Sequence, residues 1–133
     1  MTTNTATRPT ILVVDDEVSI RQVARRILEG AGYDVREAAD GQAAIDLLAD
    51  GAPLDLLMAD LDMPGLGGDD MAQQIRTTRP AQRVLYVTGH IDRLMDARLL
   101  LGDGEAFLEK PFTGPGLLEA VALILYGTLS KPS

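Results

Sequence analysis

The stretch over residues 54–63, which reads LDLLMADLDM, most constrains what this chain can fold into. Its apolar run lies between Pro53 and Pro64 and ends in the carboxylates of Asp60 and Asp62. A short, nearly continuous apolar run predicts a strand that is buried on both faces in a parallel sheet. In open α/β sheets, ligands bind at the carboxyl ends of the strands. Asp60 is therefore the first candidate for chemistry.

Four other short runs have strand character, and stretches with helical spacing of apolar residues alternate with them. The predicted strands cover residues 10–14, 33–37, 54–59, 83–87 and 105–108. The predicted helices cover 17–30, 41–49, a segment between the loop 65–68 and Pro80, 91–101, and a last segment capped by Thr113. Alternating strands and helices indicate an α/β fold, in which a doubly wound, five-stranded parallel sheet carries helices on both faces. The flavodoxin-like strand order 2-1-3-4-5 fits five strands.

The composition fits one domain. The 133 residues, 46% of them hydrophobic, are enough for a full core. We expect a mobile N-terminal tail over 1–9, the domain over 10–127 and a C-terminal tail over 128–133.

Charge and targeting features narrow the partners and the compartment. A formal net charge of -8 argues against binding nucleic acid or an anionic membrane. The chain has no cysteine, and it shows neither a signal peptide nor an apolar run of membrane-spanning length. We expect a cytoplasmic protein.

The predicted strand order brings the strand ends together. Asp15 and Asp16 lie beside Asp60, with Thr88 and Lys110 on the other side. Two carboxylates about 4 Å apart repel by roughly 4 kcal/mol at an effective dielectric of 20, so the cluster needs raised pKa values or a cation. Oxygen ligands of this kind suit Mg²⁺, with Mn²⁺ as a substitute.

Such a site can accept a phosphoryl group. The Asp60 carboxylate is the candidate nucleophile, the metal and Lys110 neutralise the transferred oxygens, and the Thr88 hydroxyl hydrogen-bonds one of them. Each residue alone has an ordinary structural interpretation: Asp15 and Asp16 as a helix N-cap, Thr88 as a turn residue, Lys110 as a solvated charge. Together at separate strand ends they favour a shared site.

The strand-end motifs resemble those of a known family. They are VVDD at 13–16, DLDMP at 60–64, VTG at 87–89 and KPF at 110–112. In this order and spacing they resemble the receiver domain of bacterial two-component response regulators, including the chemotaxis response regulators, from about Thr10 to Tyr126. The sequences of residues 85–89 and 107–112 are most similar to those of receivers of hybrid sensor kinases. Whether the chain stands alone or is part of such a kinase stays open.

The resemblance implies a phosphorelay. Asp60 accepts phosphate from a sensor histidine kinase or a histidine phosphotransfer protein, and the domain is no enzyme beyond its own phosphorylation and dephosphorylation. Mg²⁺ is held by Asp15, Asp16 and Asp60, with help from the main-chain carbonyl of Asp62. Lys110 pairs with the phosphoryl group.

The resemblance also implies a switch. Thr88 and Phe107 occupy the switch positions, and the peptide bond before Pro111 is expected to be cis. Gly68 matches the family's loop glycine, whereas Gly67 stands where an aspartate is usual. The face formed by the predicted helix 91–101, the fifth strand and the last helix is expected to bind a partner or to form a homodimer.

Two other functions remain open. One is a receiver-like binding module that works without phosphorylation. The other is a phosphatase, because Asp60-Leu61-Asp62 resembles the DxD motif of haloacid-dehalogenase-type enzymes. The order of the acidic motifs opposes the phosphatase, since Asp15-Asp16 precedes Lys110 and the second acidic pair of that family follows its lysine.

Overall fold

The computed structural model describes residues 8–90 and 104–127 of the chain. The helix predicted over 91–101 lies outside the described residues, as do most of the predicted tails. The described elements are β1 Thr10–Val14, α1 Val18–Gly30, β2 Asp34–Ala38, α2 Gly41–Leu48, β3 Leu56–Asp60, α3 Gly68–Thr78, β4 Val84–Thr88, β5 Glu105–Glu109 and α4 Gly114–Tyr126.

The five strands form one parallel sheet in the order β2-β1-β3-β4-β5, as the sequence predicts. All five residues of β3 are buried, which confirms the interpretation of its apolar run. The registers pair Asp60 of β3 with Val87 of β4, and Thr88 of β4 with Glu109 of β5. The polar strand ends therefore meet at one edge of the sheet.

Two hydrophobic clusters cover the faces of the sheet. Successive side chains of a strand point to opposite faces, so the neighbouring pair Ile11 and Leu56 enters one cluster and the next pair, Leu12 and Leu57, enters the other. The cluster with Leu12 packs against α2 and α3, and the cluster with Ile11 packs against α1 and α4. The helices thus lie on both faces, as expected for a doubly wound sheet.

Local capping contacts fix where several helices begin or end. The Asp40 carboxylate accepts a hydrogen bond from the Ala43 amide at 2.7 Å at the start of α2. The predicted cap at Thr113 is confirmed, since its hydroxyl accepts from the Gly116 amide at 3.0 Å. Helix α4 ends at Tyr126, and the capping residue Gly127 has a φ of 70°, in the left-handed region that glycine adopts without strain.

Candidate functional site

Three carboxylates meet at the carboxyl ends of the central strands. Asp15 follows β1 and Asp60 is the last residue of β3; their exposed fractions are 3% and 2%. Asp16 is exposed at the rim. Each of the three offers a carboxylate oxygen, and these oxygens lie within 4.8 Å of one another. The predicted grouping of these acids is therefore present in the fold.

The sequence left open an N-cap role for Asp15 and Asp16, and that interpretation is wrong. Helix α1 begins at Val18, so the N-cap residue is Glu17. The Asp15 carboxylate instead accepts a hydrogen bond from the Glu17 amide at 2.9 Å. This contact orients Asp15 toward the cluster.

Lys110 brings a positive charge to the cluster. Its Nζ lies 2.8 Å from Oδ2 of Asp15 and 3.2 Å from Oδ2 of Asp60. The Lys110 amide donates to the Thr88 carbonyl at 2.7 Å, and the peptide bond to Pro111 is cis. Burial disfavours the ammonium charge, but the hydrogen bonds and charges of the two carboxylates outweigh it and raise the pKa of Lys110.

One ammonium group does not balance three carboxylates. Burial and the neighbouring charge of Asp15 hold the pKa of Asp60 above its ordinary value, despite the hydrogen bond from the Asp62 amide and the charge of Lys110. Converging hard oxygen ligands with a solvent-facing side at Asp16 fit a divalent cation that keeps part of its water, which is the preference of Mg²⁺. The ligand role of the Asp62 carbonyl stays a prediction.

The Asp62 side chain makes contacts that the sequence does not predict. Its Oδ2 accepts hydrogen bonds from the Thr88 hydroxyl at 2.8 Å and from the Gly89 amide at 3.1 Å. Its Oδ1 lies 3.5 Å from Nδ1 of His90. Burial raises the pKa of Asp62, but these contacts outweigh it and the pKa lies below its ordinary value. The Thr88 hydroxyl therefore points to Asp62 in this structure.

The second predicted switch residue, Phe107, lies on β5 and is half-buried. Its ring packs against Tyr86 of β4, with ring centroids 5.5 Å apart and planes tilted by 39°. Tyr86 and Thr88 are two positions apart on β4, so their side chains lie on the same face of the sheet. The Tyr86 hydroxyl donates to Glu105 at 3.1 Å, and Glu105 forms an ion pair with Arg76 of α3. Thr88 and Phe107 thus lie on one face of neighbouring strands.

Arg21 of α1 supports the site from the side, and sequence analysis missed it. Its Nη1 donates to the main-chain carbonyl of Asp15 at 2.6 Å, and its Nε donates to Glu37 of β2 at 3.1 Å. The Arg21 side chain is 14% exposed, whereas that of Arg25, which also binds Glu37, is 43% exposed. Hydrogen bonds from Arg25 and Arg21 outweigh burial and lower the pKa of Glu37. A helical arginine one turn past the acidic pair was the sequence signal for this support.

Gly68 brings α3 against the end of β3. A Cβ atom at this position would overlap the main-chain oxygen of Asp60 and lie 3.3 Å from Cβ of Ala59. Only glycine permits this approach without movement of the strand. The loop glycine therefore has a positional role for Asp60.

The sequence shows no apolar run of membrane-spanning length, and the lengths of the helices can be compared with that expectation. Within residues 8–90 and 104–127, no helix is both long enough and apolar enough to cross a bilayer.

Comparison with known proteins identifies the family. Residues 11–122 match the response regulator receiver domain. The chain is 34% identical over 106 residues to the sensor kinase CckA of Brucella abortus, covering 78% of this chain and 11% of that protein. It is 38% identical over 119 residues to the DNA-binding transcriptional regulator NtrC of Escherichia coli, covering 88% of this chain and 24% of that protein. These relatives are much longer than the matched segment.

A solved structure supports the same assignment. The chemotaxis response regulator CheY4 of Vibrio cholerae matches with a TM-score of 0.78 and 29% identity, covering 90% of this chain and 100% of that one. The sequence match, the strand order and the acidic strand ends agree. The chain belongs to the response regulator receiver domain family.

Proposed function

We propose that this domain accepts a phosphoryl group on Asp60 within a two-component phosphorelay. Receiver domains interact with sensor kinases or phosphotransfer proteins, and a phosphohistidine of such a protein is the proposed donor. One observation carries the proposal. Asp60 is a buried carboxylate at the end of the central strand, beside Lys110 and within one cluster with Asp15 and Asp16. A buried carboxylate in this setting does not stabilise the fold, and a buried acid with a perturbed pKa is typical of a functional site.

The proposed transfer is an attack by an Asp60 carboxylate oxygen on the phosphorus of phosphohistidine. The O–P bond forms, the P–N bond breaks, and its electron pair stays on the imidazole nitrogen, which takes up a proton. The Asp62 amide holds one Asp60 oxygen at 2.9 Å, which orients the carboxylate. Lys110 lies beside the other oxygen, where its charge attracts the transferred group. Asp15, Asp16 and Asp60 would hold Mg²⁺, which would supply further positive charge next to the phosphoryl oxygens.

We also propose that the domain acts only on itself. Water attacking the phosphorus of the aspartyl phosphate returns the free Asp60 carboxylate and inorganic phosphate. One phosphoryl group per chain and slow loss are then expected, whereas a phosphatase would turn over p-nitrophenyl phosphate continuously.

Intact-mass measurement after incubation with acetyl phosphate and Mg²⁺ tests the acceptor. We expect one phosphoryl group on the wild type and on Asp69→Asn, which removes an exposed acid of the first turn of α3. Asp60→Asn should carry none. An adduct that persists in Asp60→Asn would place the acceptor elsewhere, and a wild type without an adduct would favour a binding module that works without phosphorylation.

The signal is proposed to leave through a protein-binding face next to the switch residues. This face comprises β5, α4 and the helix predicted over 91–101, which lies outside the described residues. On α4, Leu123 is 47% exposed, so it offers apolar surface to a partner on this face. The proposed partner is a second copy of the chain or a kinase or phosphotransfer protein.

Light scattering of the phosphorylated protein, alone and with its kinase, tests this face. Leu123→Asp should weaken the phosphorylation-dependent association. Val23→Asp is the matched control, because Val23 on α1 is similarly exposed, at 45%, but lies on another part of the surface. Equal association of the two variants would exclude Leu123 from the contact.

A further inference from the structure

The Asp62 carboxylate takes two donors that lie next to the proposed acceptor. The Thr88 hydroxyl and the Gly89 amide both donate to its Oδ2, at 2.8 and 3.1 Å. The His90 amide in turn donates to the Thr88 hydroxyl oxygen at 3.0 Å, which fixes the hydroxyl proton toward Asp62. Both donors at the end of β4 are thus directed at one anionic oxygen.

The pairing of β3 with β4 places these donors close to Asp60. Asp60 pairs with Val87 in the register between β3 and β4, so Thr88 and Gly89 are the next residues along the neighbouring strand. Asp62 lies between the two strand ends: its amide donates to Asp60, and its carboxylate accepts from Thr88. One residue therefore contacts both the acceptor carboxylate and the donors beyond it.

We propose that the Asp62 carboxylate is an internal competitor of the phosphoryl group for these two donors. The inference rests on the proposed phosphorylation of Asp60. In the free protein, the Asp62 carboxylate satisfies the Thr88 hydroxyl and the Gly89 amide. In the phosphorylated protein, a phosphoryl oxygen takes both donors, and the Asp62 carboxylate turns to solvent. No covalent bond changes in this exchange, which replaces one anionic acceptor by another.

The hydrogen bonds to Asp62 stabilise the unphosphorylated state. Charge-assisted hydrogen bonds are stronger than neutral ones, and a buried hydroxyl is seldom left without an acceptor. Thr88 is 1% exposed, so water does not easily replace Asp62. A phosphoryl group must therefore displace Asp62 before Thr88 can move. Asp62 is a positioning residue that opposes the switch.

Beryllofluoride, which binds a carboxylate oxygen as a phosphoryl mimic, allows the competition to be measured at equilibrium with Mg²⁺. Asp62→Ala removes the competing acceptor, and we expect the mimic to bind about tenfold more tightly, which is about 1.4 kcal/mol. Asp62→Asn removes the charge but keeps an amide oxygen that can accept from both donors. We expect a smaller increase in affinity for Asp62→Asn than for Asp62→Ala.

A matched variant separates hydrogen bonding from charge. Glu17 is an acid at the rim, 3.9 Å from Nζ of Lys110, and its side chain is 61% exposed. Glu17→Gln removes one negative charge near the site and leaves the Thr88 and Gly89 donors in place. Its effect should stay below about twofold because solvent screens exposed charges. If Asp62→Ala increases the affinity no more than Glu17→Gln does, the proposal is overturned.

The NMR proton shift of the Gly89 amide reports the exchange of acceptors directly, without a measurement of affinity or of protein stability. This shift should move when beryllofluoride binds to the wild type, because the acceptor of the amide changes. In Asp62→Ala the shift should differ from wild type in the free state and coincide with it in the bound state. A Gly89 shift that stays at its free value in the bound wild type would refute the exchange. If the wild type binds no beryllofluoride at all, the proposed phosphorylation of Asp60 is contradicted. Binding without a change of the Gly89 shift contradicts only the exchange, so the two failures are distinguishable.

Discussion

Gly68→Ala tests whether the close approach of α3 to β3 positions Asp60. The added Cβ would overlap the main-chain oxygen of Asp60 and press on Cβ of Ala59. The overlapping atom belongs to the backbone of the central strand, which cannot rotate away as a flexible side chain can. Either α3 or the end of β3 must move.

Two opposing terms set the size of the effect. Overpacking in a well-packed region costs about 1–3 kcal/mol. Replacing glycine by alanine in a helix gains up to about 1 kcal/mol. We therefore expect Gly68→Ala to lower the free energy of unfolding by about 1–2 kcal/mol. The matched control is Gly30→Ala in α1, where a Cβ meets no atom within 4 Å, and its free energy of unfolding should stay unchanged or rise.

Urea unfolding at a constant m-value measures both variants. Phosphorylation by acetyl phosphate should also be slower in Gly68→Ala, since the displaced strand end carries Asp60, and should be unchanged in Gly30→Ala. If Gly68→Ala were as stable as Gly30→Ala, α3 would not be held against the end of β3 as described.

Three further predictions concern the charges of the site. Burial raises the pKa of Asp60, so the folded state binds this proton more tightly than the unfolded state does. The resulting stabilisation is fully present below the unfolded pKa and is lost as pH rises through the folded pKa. Asp60→Asn should therefore raise the melting temperature at pH 7 with a chelator present, and the increase should vanish near about pH 3, where unperturbed aspartates protonate; equal increases at both pH values would contradict the pKa shift. Mg²⁺ should raise the melting temperature of the wild type by binding the folded state and should do so less in Asp16→Ala, which a metal titration followed by melting will check. Arg21→Ala should cost about 1–3 kcal/mol in urea unfolding and weaken Mg²⁺ binding, because Arg21 holds the Asp15 carbonyl, whereas Arg25→Ala should cost less than about 1 kcal/mol.

Much of the fold was predictable because its strands are buried on both faces. β1, β3 and β4 appear in the sequence as apolar runs, and the polar residues that follow them mark the edge where the site forms. Boundaries were less predictable: β3 begins at Leu56, whereas the apolar run begins at Leu54. The first residues of that run precede the ladder with β1, and only the pairing of neighbouring strands reveals this.

The grouping of Asp15, Asp16 and Asp60 followed from strand order alone, since parallel strands deliver their ends to one edge. Side-chain contacts within loops do not follow from strand order. The bond from Thr88 to Asp62 depends on the path of the loop after β3, which the apolar pattern of the strands does not specify.

The hydrogen bonds and ion pairs of the free site indicate how the proposed phosphorylation of Asp60 would act as a switch. Lys110 already pairs with Asp60 and Asp15, so a transferred phosphoryl group would enter an existing network of ion pairs. Thr88 is likewise already bonded, to Asp62. Each interaction that a phosphoryl group would form with these residues would replace one that the free protein already has. The free-energy difference between the two states would then be smaller than the sum of the new interactions. A small difference keeps both states accessible, and a binding partner that prefers one of them can shift the balance.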